Sequence, residues 1–277
     1  MKKIERIFEI KEFYSVIEHN FGKGYTFVGE SHDFWEMVFV SSGTVEVTCD
    51  DAVYILSAGD MLFYPPLCFH NVNSVADSGA RVLNVAFGVE GELPENTSCN
   101  VFSLSHSESE EFEGIFEILK SFFHSDTCST YLGQLSSQRF SSLIIELGLD
   151  HTAEQKLLST VSAFEYKRLV SDMRERIYDN ISLSELACLN HISVSYINML
   201  FSRYAGIGPK SFYSQLRLNT AKSLLKSGVS VADVSARMNF SSHNYFARYF
   251  KKLTGLTPSE YKRASDIATK RIKAEKS

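Results

Sequence analysis

The sequence predicts two domains: an N-terminal all-β domain of sandwich or barrel type with appended helices, and a C-terminal all-α domain with two helix-turn-helix motifs joined by a linker helix. Three observations predict this. The charge is divided between the two halves, short strand-like runs occupy the first half, and a helical pattern repeats in the second. The 277 residues are enough for two domains that each bury a core.

The charge of the chain is unevenly distributed. The formal net charge is -5, but residues 1–165 carry 9 Lys and Arg against 25 Asp and Glu, whereas residues 166–277 carry 19 against 8. An acidic half joined to a basic half indicates two domains, and the basic one is a candidate for binding a polyanion. A solvated surface with uneven charge is the alternative interpretation of this observation alone.

The composition is that of a soluble globular protein, with 44% hydrophobic and 22% charged residues. The five cysteines are scattered and form no CxxC pair, so neither a disulfide framework nor a cysteine zinc site is expected. Charges interrupt the N-terminal stretch where a signal peptide needs an apolar core. No apolar run approaches the roughly 20 residues of a membrane span. A cytoplasmic protein with no membrane partner is expected.

A helical pattern occurs twice in the basic half. Tyr196–Phe212 aligns with Tyr245–Tyr261 at a constant offset of 49 residues. Apolar or aromatic residues stand at positions 196, 197, 200, 201 and 204, and again at 245, 246, 249, 250 and 253. This spacing is typical of one buried stripe on an α-helix. Each copy continues with a glycine and, three residues later, a proline, which is a signal for the end of a helix.

A shorter amphipathic segment precedes each of these helices. Ser182 and Ser230 are placed to cap the two segments at their N-termini. Two short helices joined by a tight turn form the helix-turn-helix pattern, here predicted over residues 183–204 and 231–254. Residues 211–228 between the copies predict one long linker helix, and residues 166–180 predict the opening helix of the domain.

The outward face of the second helix in each motif is the candidate DNA-reading surface. Ser, Asn, His and Arg side chains can bind base edges, and basic side chains can hold phosphates. Solvated helix faces would carry similar residues, but the repeat and the positive charge favour DNA binding. The candidate residues are Ser195, Asn198, Met199, Ser202, Arg203, Ser242, His243, Asn244, Ala247, Arg248, Lys251 and Lys252.

Residues from near Tyr166 to near Arg263 resemble the DNA-binding domain of AraC/XylS-type bacterial transcription regulators. Asn239 replaces a turn glycine of the motif, which Asn tolerates because it accepts positive φ better than most residues. Met199 replaces a frequent arginine, so the grip of the first motif on DNA is expected to differ. The matching residues are Phe240, Tyr245, Phe246, Arg248, Phe250, Lys251, Lys252, Gly255, Thr257, Pro258 and Tyr261, with Arg217, Ala221, Leu224 and Leu225 in the linker helix.

Short strand-like runs fill the acidic half from Gly24 to about Val89. Gly43–Cys49 alternates as a half-buried strand does, and Asp60–Pro66 follows a Gly-Asp turn. Ala80–Val89 is a further strand candidate. Several short strands separated by turns indicate a sandwich or barrel of jelly-roll type.

This part of the chain resembles a cupin, the usual N-terminal partner domain in the same family. Glu30 replaces the first histidine of the first cupin motif, and Leu67 replaces the glycine of the second. The four side chains that would converge on a metal such as iron, manganese or zinc are Glu30, His32, Glu36 and His70. The motif positions are Gly24, Glu30, His32, Glu36 and Gly43 in the first motif, and Gly59, Pro65 and His70 in the second.

Regulators of this type usually retain the barrel and not the metal, so the resemblance implies no cofactor and a small-molecule effector in the cavity. Aromatic residues such as Phe39, Phe63 and Phe69 either line this pocket or fill a core, and alternation alone does not decide between the two. The candidate effector-binding residues are His32, Trp35, Glu36, Tyr64 and His70.

Helical periodicity replaces the strand pattern in residues 102–165, with helices predicted over residues 107–123 and 134–149. The resemblance implies that such helices form a homodimer interface, although helices packed on their own barrel would show the same stripes. The predicted division is a cupin-like barrel over 1–100, a dimerisation segment over 101–149, a linker over 150–165 and the DNA-binding domain over 166–264.

The sequence therefore predicts a cytoplasmic, nucleoid-associated transcription regulator without enzymatic activity. The resemblance implies a double-stranded DNA operator and RNA polymerase as partners, and activation rather than repression. Two alternatives stay open. One is a regulator that needs no effector, and the other is a metal-dependent cupin enzyme fused to a DNA-binding domain.

Overall fold

The computed structural model describes residues 7–75, 79–124, 130–150 and 156–264. The chain divides into two compact units, Met1–Ala163 and Phe164–Ser277. Residues 151–155 of the predicted linker lie outside the described residues. Within the described ranges, no helix combines the length and the apolar character that a membrane span needs.

The strands of the N-terminal unit form two antiparallel sheets. One has the order β1-β7-β2-β5-β8 and the other β4-β3-β6. The predicted fold class is confirmed, but the two sheets share no strand, so the cupin-like domain is not a single closed barrel. The strands are β1 (Phe8–Phe21), β2 (Trp35–Ser42), β3 (Thr44–Cys49), β4 (Ala52–Ser57), β5 (Asp60–Tyr64), β6 (His70–Ser74), β7 (Ala80–Gly91) and β8 (Val101–Ser103).

Alternation along β2 separates two apolar cores. Val38 and Val40 face the core between the two sheets, whereas Met37 and Phe39 face a second core on the other side of the larger sheet. The turn that follows β2 requires a glycine. Gly43 has φ +81, and a Cβ there would lie 2.3 Å from the carbonyl oxygen of Gly79.

Two helices cover the outer face of the larger sheet, namely α1 (His106–Phe123) and α2 (Thr130–Asp150). Ser105 caps α1 and forms a capping box with Glu108. The buried faces of both helices join the second core through residues that include Phe112, Phe116, Phe140 and Ile144. Each helix therefore uses its predicted apolar stripe to pack on its own sheet.

The C-terminal unit is helical and contains both predicted motifs. Ser182 and Ser230 accept hydrogen bonds from backbone N–H groups of the first turns of α4 and α7, which confirms them as N-caps. Asn239 has φ +54, as expected for a residue in place of a turn glycine. The helices are α3 (Val161–Glu175), α4 (Leu183–Asn190), α5 (Val194–Tyr204), α6 (Pro209–Lys226), α7 (Val231–Arg237) and α8 (His243–Thr254).

The predicted buried stripe of the second reading helix is only partly buried. Phe246 and Phe250 are buried in the C-terminal core, but Tyr245 and Leu253 are about half exposed, at 49% and 46%. Both residues stand at the edge of the stripe, where the small core beneath α8 does not reach.

One expectation from the cysteines is wrong. Cys49 and Cys99 form a disulfide, with Cα atoms 6.5 Å apart. The two residues are 50 positions apart in the sequence, and the strand topology brings the end of β3 beside the segment that precedes β8. Sequence spacing carries no sign of this proximity.

Candidate DNA-binding surface and effector site

The two reading helices present the predicted polar faces to solvent. Ser195, Asn198, Met199, Ser202 and Arg203 are all exposed on α5. On α8, Ala247 is half-buried and the remaining predicted residues are exposed, namely Ser242, His243, Asn244, Arg248, Lys251 and Lys252. The structure thus groups each predicted set on one helix.

Some of these side chains also have local structural roles. The hydroxyl of Ser242 accepts from the backbone N–H of Tyr245 and so caps α8. The amide nitrogen of Asn198 donates to the carbonyl oxygen of Val194 at 2.8 Å. The carbonyl oxygen of the Asn198 amide would then be the atom that accepts a hydrogen bond from a base or a water.

The two reading helices differ in charge. Arg248, Lys251 and Lys252 follow one another at i, i+3 and i+4, which places them on the same surface of α8. On α5 the predicted face carries one cation, Arg203, which lies 5.3 Å from the ring of Tyr204. The exposed face of α8 is therefore the more basic of the two.

The linker helix α6 holds the two motifs together through a buried guanidinium. Arg217 is 7% exposed and donates to the carbonyl oxygens of Asp179, which follows α3, and of Met238, which ends α7. Its guanidinium also lies 5.6 Å from the ring of Phe240. Segments ahead of the first motif and inside the second are therefore tied to one side chain.

In the N-terminal unit, the four cupin-motif side chains meet between β2 and β6. The candidate ligand atoms of Glu30, His32, Glu36 and His70 all lie within 4.8 Å of one another. The Nε2 atoms of His32 and His70 lie 2.9 and 3.6 Å from the Oε2 of Glu36. The sequence motif placed these residues correctly although Glu30 replaces a histidine.

The charges in this cluster depend on one another. Burial opposes ionisation of Glu36, but the two histidines beside it outweigh burial and hold the pKa of its carboxyl far below the usual range. Burial likewise lowers the pKa of His70, and the Glu36 carboxylate more than reverses this, so the pKa of His70 is raised. The arrangement favours an ionised Glu36 beside a protonated His70.

Sequence reasoning missed Asn84 on β7. Its Nδ2 donates to the Oε1 of Glu36 at 2.6 Å, on the oxygen that the histidines leave open. A polar residue inside the otherwise apolar run from Val82 to Phe87 was the available signal, because one strand face there looks into the interior.

Three buried polar atoms around Glu36 have no hydrogen-bond partner among the described residues. They are the Tyr64 hydroxyl, the Asn84 Oδ1 and the His70 Nε2, which lies 3.6 Å from the Oε2 of Glu36 and so beyond hydrogen-bond distance. The ring of Tyr64 stacks on that of His70, with centroids 4.4 Å apart. Because such atoms are costly to bury without partners, they indicate a place for a polar ligand or an ordered water.

The structure does not bring Trp35 into this cluster. Trp35 precedes Glu36 on β2 and packs against the helix-facing core, since successive side chains of a strand point to opposite faces. Phe39 and Phe63 belong to the same core. The remaining predicted effector residues, His32, Glu36, Tyr64 and His70, do share one site.

The same donor set fits a divalent transition metal. Two imidazoles and two carboxylates are suitable ligands, and their candidate ligand atoms converge within 4.8 Å of one another. Asn84 would orient the Glu36 carboxylate from outside the ligand shell.

Comparisons with known proteins agree with this architecture. A helix-turn-helix domain model matches residues 186–264, and a cupin domain model matches residues 18–86. An uncharacterized HTH-type transcriptional regulator of Bacillus subtilis, YbfI, is 25% identical over 225 residues, which cover 79% of this chain and 81% of that protein. The HTH-type transcriptional activator RhaR of Mannheimia succiniciproducens is 22% identical over 83% of this chain and 85% of its own length.

The chain is an HTH-type transcription regulator whose two domains resemble those of the AraC/XylS family. Its helical unit contains the helix-turn-helix domain, and its N-terminal unit is the cupin-like domain. The crystal structure of ToxT from Vibrio cholerae covers 93% of this chain and 98% of its own, with 14% identity and a TM-score of 0.38. Both relatives are named as HTH-type transcription regulators.

Proposed function

We propose that this AraC/XylS regulator activates transcription in response to a small polar effector bound beside Glu36. The observation that carries the proposal is the group of buried, unpartnered polar atoms on Tyr64, His70 and Asn84 around an ionised carboxylate. A ligand with both hydrogen-bond donors and acceptors, such as a polyhydroxylated or amino compound, would satisfy them. An apolar ligand would leave them unpaired.

The proposed DNA contacts follow from the exposed faces of α5 and α8. The two helices would enter successive major grooves, about 10–10.5 base pairs apart. Arg248, Lys251 and Lys252 would bind phosphates, and Asn198 with His243 and Asn244 would contact base edges. Activation would follow from contact with RNA polymerase at a promoter in the cytoplasm.

DNA selection tests the reading function. Purified full-length protein is incubated with a random DNA pool at about 0.1–0.15 M salt, because the phosphate contribution depends steeply on salt. A bipartite motif with half-sites one helical turn apart is expected. Salt-sensitive binding without any enriched motif would contradict sequence-specific reading by the free protein.

A thermal-shift screen tests the effector site. Polyhydroxylated and amino compounds are screened against the full chain for a raised melting temperature. Tyr64→Phe removes one unpartnered hydroxyl and keeps the ring, so it should weaken the response to a stabilising compound. Trp35→Phe, on the opposite face of β2, is the matched control and should leave the response unchanged. If no compound stabilises the protein, the effector-independent alternative is favoured.

We also propose that α2 forms a homodimer interface. Its face away from the sheet exposes Tyr131, Leu135, Ile145 and Leu149, which follow one another along one side of the helix. Analytical ultracentrifugation should show a dimer that Tyr131→Glu with Leu149→Glu dissociates. Ser107→Glu with Ser121→Glu, on the exposed surface of α1, is the control. A monomeric wild type would contradict the proposal.

A bound transition metal is the second candidate for the Glu36 site, and the convergence of four ligand side chains favours it. Elemental analysis of protein purified without chelators distinguishes the two. A stoichiometric metal that is lost in His70→Ala would favour metal binding. It would also favour the alternative that the chain is a metal-dependent cupin enzyme fused to a DNA-binding domain. Protein free of metal that still responds to an organic compound would favour the effector.

A further inference from the structure

Three cysteines that are far apart in the sequence meet inside the N-terminal unit. Cys49 ends β3, Cys68 lies between β5 and β6, and Cys99 precedes β8. Their Sγ atoms all lie within 4.8 Å of one another. The Sγ atoms of Cys49 and Cys68 are 2.9 Å apart, and Cys49 forms the disulfide with Cys99. Neither DNA reading nor the Glu36 site accounts for this thiol cluster.

The backbone at the thiol cluster is unusual. Five non-glycine residues of the described ranges have φ in the left-handed region, and three of them stand at or beside these cysteines. Asp50 follows Cys49 with φ +52, Leu67 precedes Cys68 with φ +67, and Cys99 itself has φ +53. Such conformations are disfavoured for L-residues and tend to persist at ligand sites, where the surrounding structure fixes them.

The surroundings of the thiol cluster limit the charge that it can hold. Cys49 and Cys68 are buried, and both belong to the apolar core between the sheets, together with valines and Tyr54. An uncompensated charge is costly in such a core. Three thiolates bound to one trivalent ion form a neutral complex, whereas a divalent or monovalent ion would leave negative charge behind.

The number of available ligands also favours a trivalent ion. Among the described residues, the ligand group at this place consists of the three cysteines. Structural zinc requires four ligands in a tetrahedron, so three thiols do not complete its shell. Trivalent arsenic and antimony are thiophilic and take three sulfur ligands in a pyramid.

We propose that the thiol cluster, when reduced, binds one trivalent arsenic ion through all three sulfurs. A phosphine or thiol reductant first supplies two electrons and, with water or its own thiols, two protons, which convert the disulfide into the Cys49 and Cys99 thiols. Arsenous acid then exchanges its three hydroxyl groups for three thiolates. Three As–S bonds form, the three thiol protons leave with the three hydroxyls as water, and arsenic keeps its oxidation state.

Arsenite titration of the full chain tests this proposal. The protein is reduced anaerobically with tris(2-carboxyethyl)phosphine, freed of reductant by gel filtration and titrated with arsenite. Native mass spectrometry should count one arsenic per chain, X-ray absorption should show three sulfur neighbours, and the melting temperature should rise because three segments become bridged.

Variants separate the thiol cluster from other thiols. Cys68→Ser should bind arsenite about 100-fold or more weakly, because one of three linked contacts is lost. Cys188→Ser is the matched control, since Cys188 is exposed on α4 in the other unit, and it should bind as the wild type does. Cys99→Ala serves as a second cluster variant if circular dichroism shows that Cys68→Ser is unfolded.

Several outcomes would overturn the proposal. They are a folded, reduced wild type that binds no arsenite, a disulfide that the phosphine cannot open without unfolding, and undiminished arsenite binding by both cluster variants. Equally tight binding of zinc by the reduced protein would overturn the three-coordinate assignment.

Discussion

The guanidinium of Arg217 donates to the main-chain carbonyl oxygen of Met238, so the middle of the linker helix is bonded to the turn of the second helix-turn-helix motif. A further bond to the carbonyl oxygen of Asp179 ties the same side chain to the segment ahead of the first motif. Only a planar, forked donor serves two carbonyls in this way from one buried position. We therefore expect the spacing of the two reading helices to depend on Arg217.

Arg217→Lys should destabilise the DNA-binding domain by about 2–3 kcal/mol, because an ammonium on a shorter reach cannot keep both charge-assisted hydrogen bonds. Binding to a bipartite operator should weaken more than binding to a single half-site, since the spacing between motifs is loosened. Urea unfolding and binding to both DNAs measure this. Lys222→Arg, elsewhere on α6, is the control. Equal losses on both DNAs would contradict a spacing role.

Arg248→Ala should weaken DNA binding and flatten the plot of log affinity against log salt by about one unit if this side chain holds a phosphate. Arg174→Ala removes the same charge from the exposed surface of α3 and is the matched control. Binding assays at four or five salt concentrations supply the slopes. A slope change of the same size in both variants would indicate a general charge effect, not a contact by Arg248.

Substitutions at two residues of the predicted stripe on α8 should have different effects on the free energy of unfolding. Phe250 is fully buried and packs edge-on against Phe246 and Tyr261, so Phe250→Ala should cost about 3–5 kcal/mol of unfolding free energy. Leu253 is 46% exposed, and Leu253→Ala should change stability by no more than about 0.5 kcal/mol. Denaturant unfolding of both variants checks this, and comparable losses would refute the observed burial.

Local signals predicted the helical unit well because they act over a few residues. Ser182 and Ser230 as caps, and the glycine after α8, mark helix ends that the structure shows. The strand β1 was missed. Register shifts between Ile10 and Glu12 and between Phe13 and Ser15 interrupt its alternation, so no period of two is visible in the sequence.

The cupin sequence motif predicted only part of the candidate effector site. Motif spacing gave the four side chains around Glu36, but the prediction grouped Trp35 with its neighbour Glu36, although successive residues of a strand point to opposite faces. Asn84 and the three cysteines lie on segments that only the folded topology brings together. Non-local contacts of this kind leave no pattern in a single sequence.

The Glu18 carboxylate should make stability depend on pH below neutrality. It accepts hydrogen bonds from Arg81 at 2.9 Å and Lys120 at 3.1 Å, which lower its pKa to about 2. A depressed pKa adds stability that is complete above the unfolded value of about 4.5 and is lost as the pH falls from there towards 2.

Glu18→Gln should therefore cost up to about 1 kcal/mol at pH 7, because both ion pairs are partly exposed. The difference from the wild type should shrink steadily between pH 4.5 and pH 2. Urea unfolding across this range measures it. Glu117→Gln, whose carboxylate is exposed and 3.8 Å from Lys120, is the control and should show little change. A pH-independent difference would contradict the electrostatic origin.

The turn at Asn239 offers a test of backbone conformation alone. Asn239 is exposed with φ +54, where glycine has no Cβ to strain and alanine does. Asn239→Gly should leave stability within about 0.5 kcal/mol of the wild type or raise it, whereas Asn239→Ala should lose about 1 kcal/mol. Thermal unfolding of the two variants measures the difference between them. If Asn239→Ala were as stable as Asn239→Gly, residue 239 would not have a left-handed backbone conformation. The change of chain direction between α7 and α8 would then have another cause.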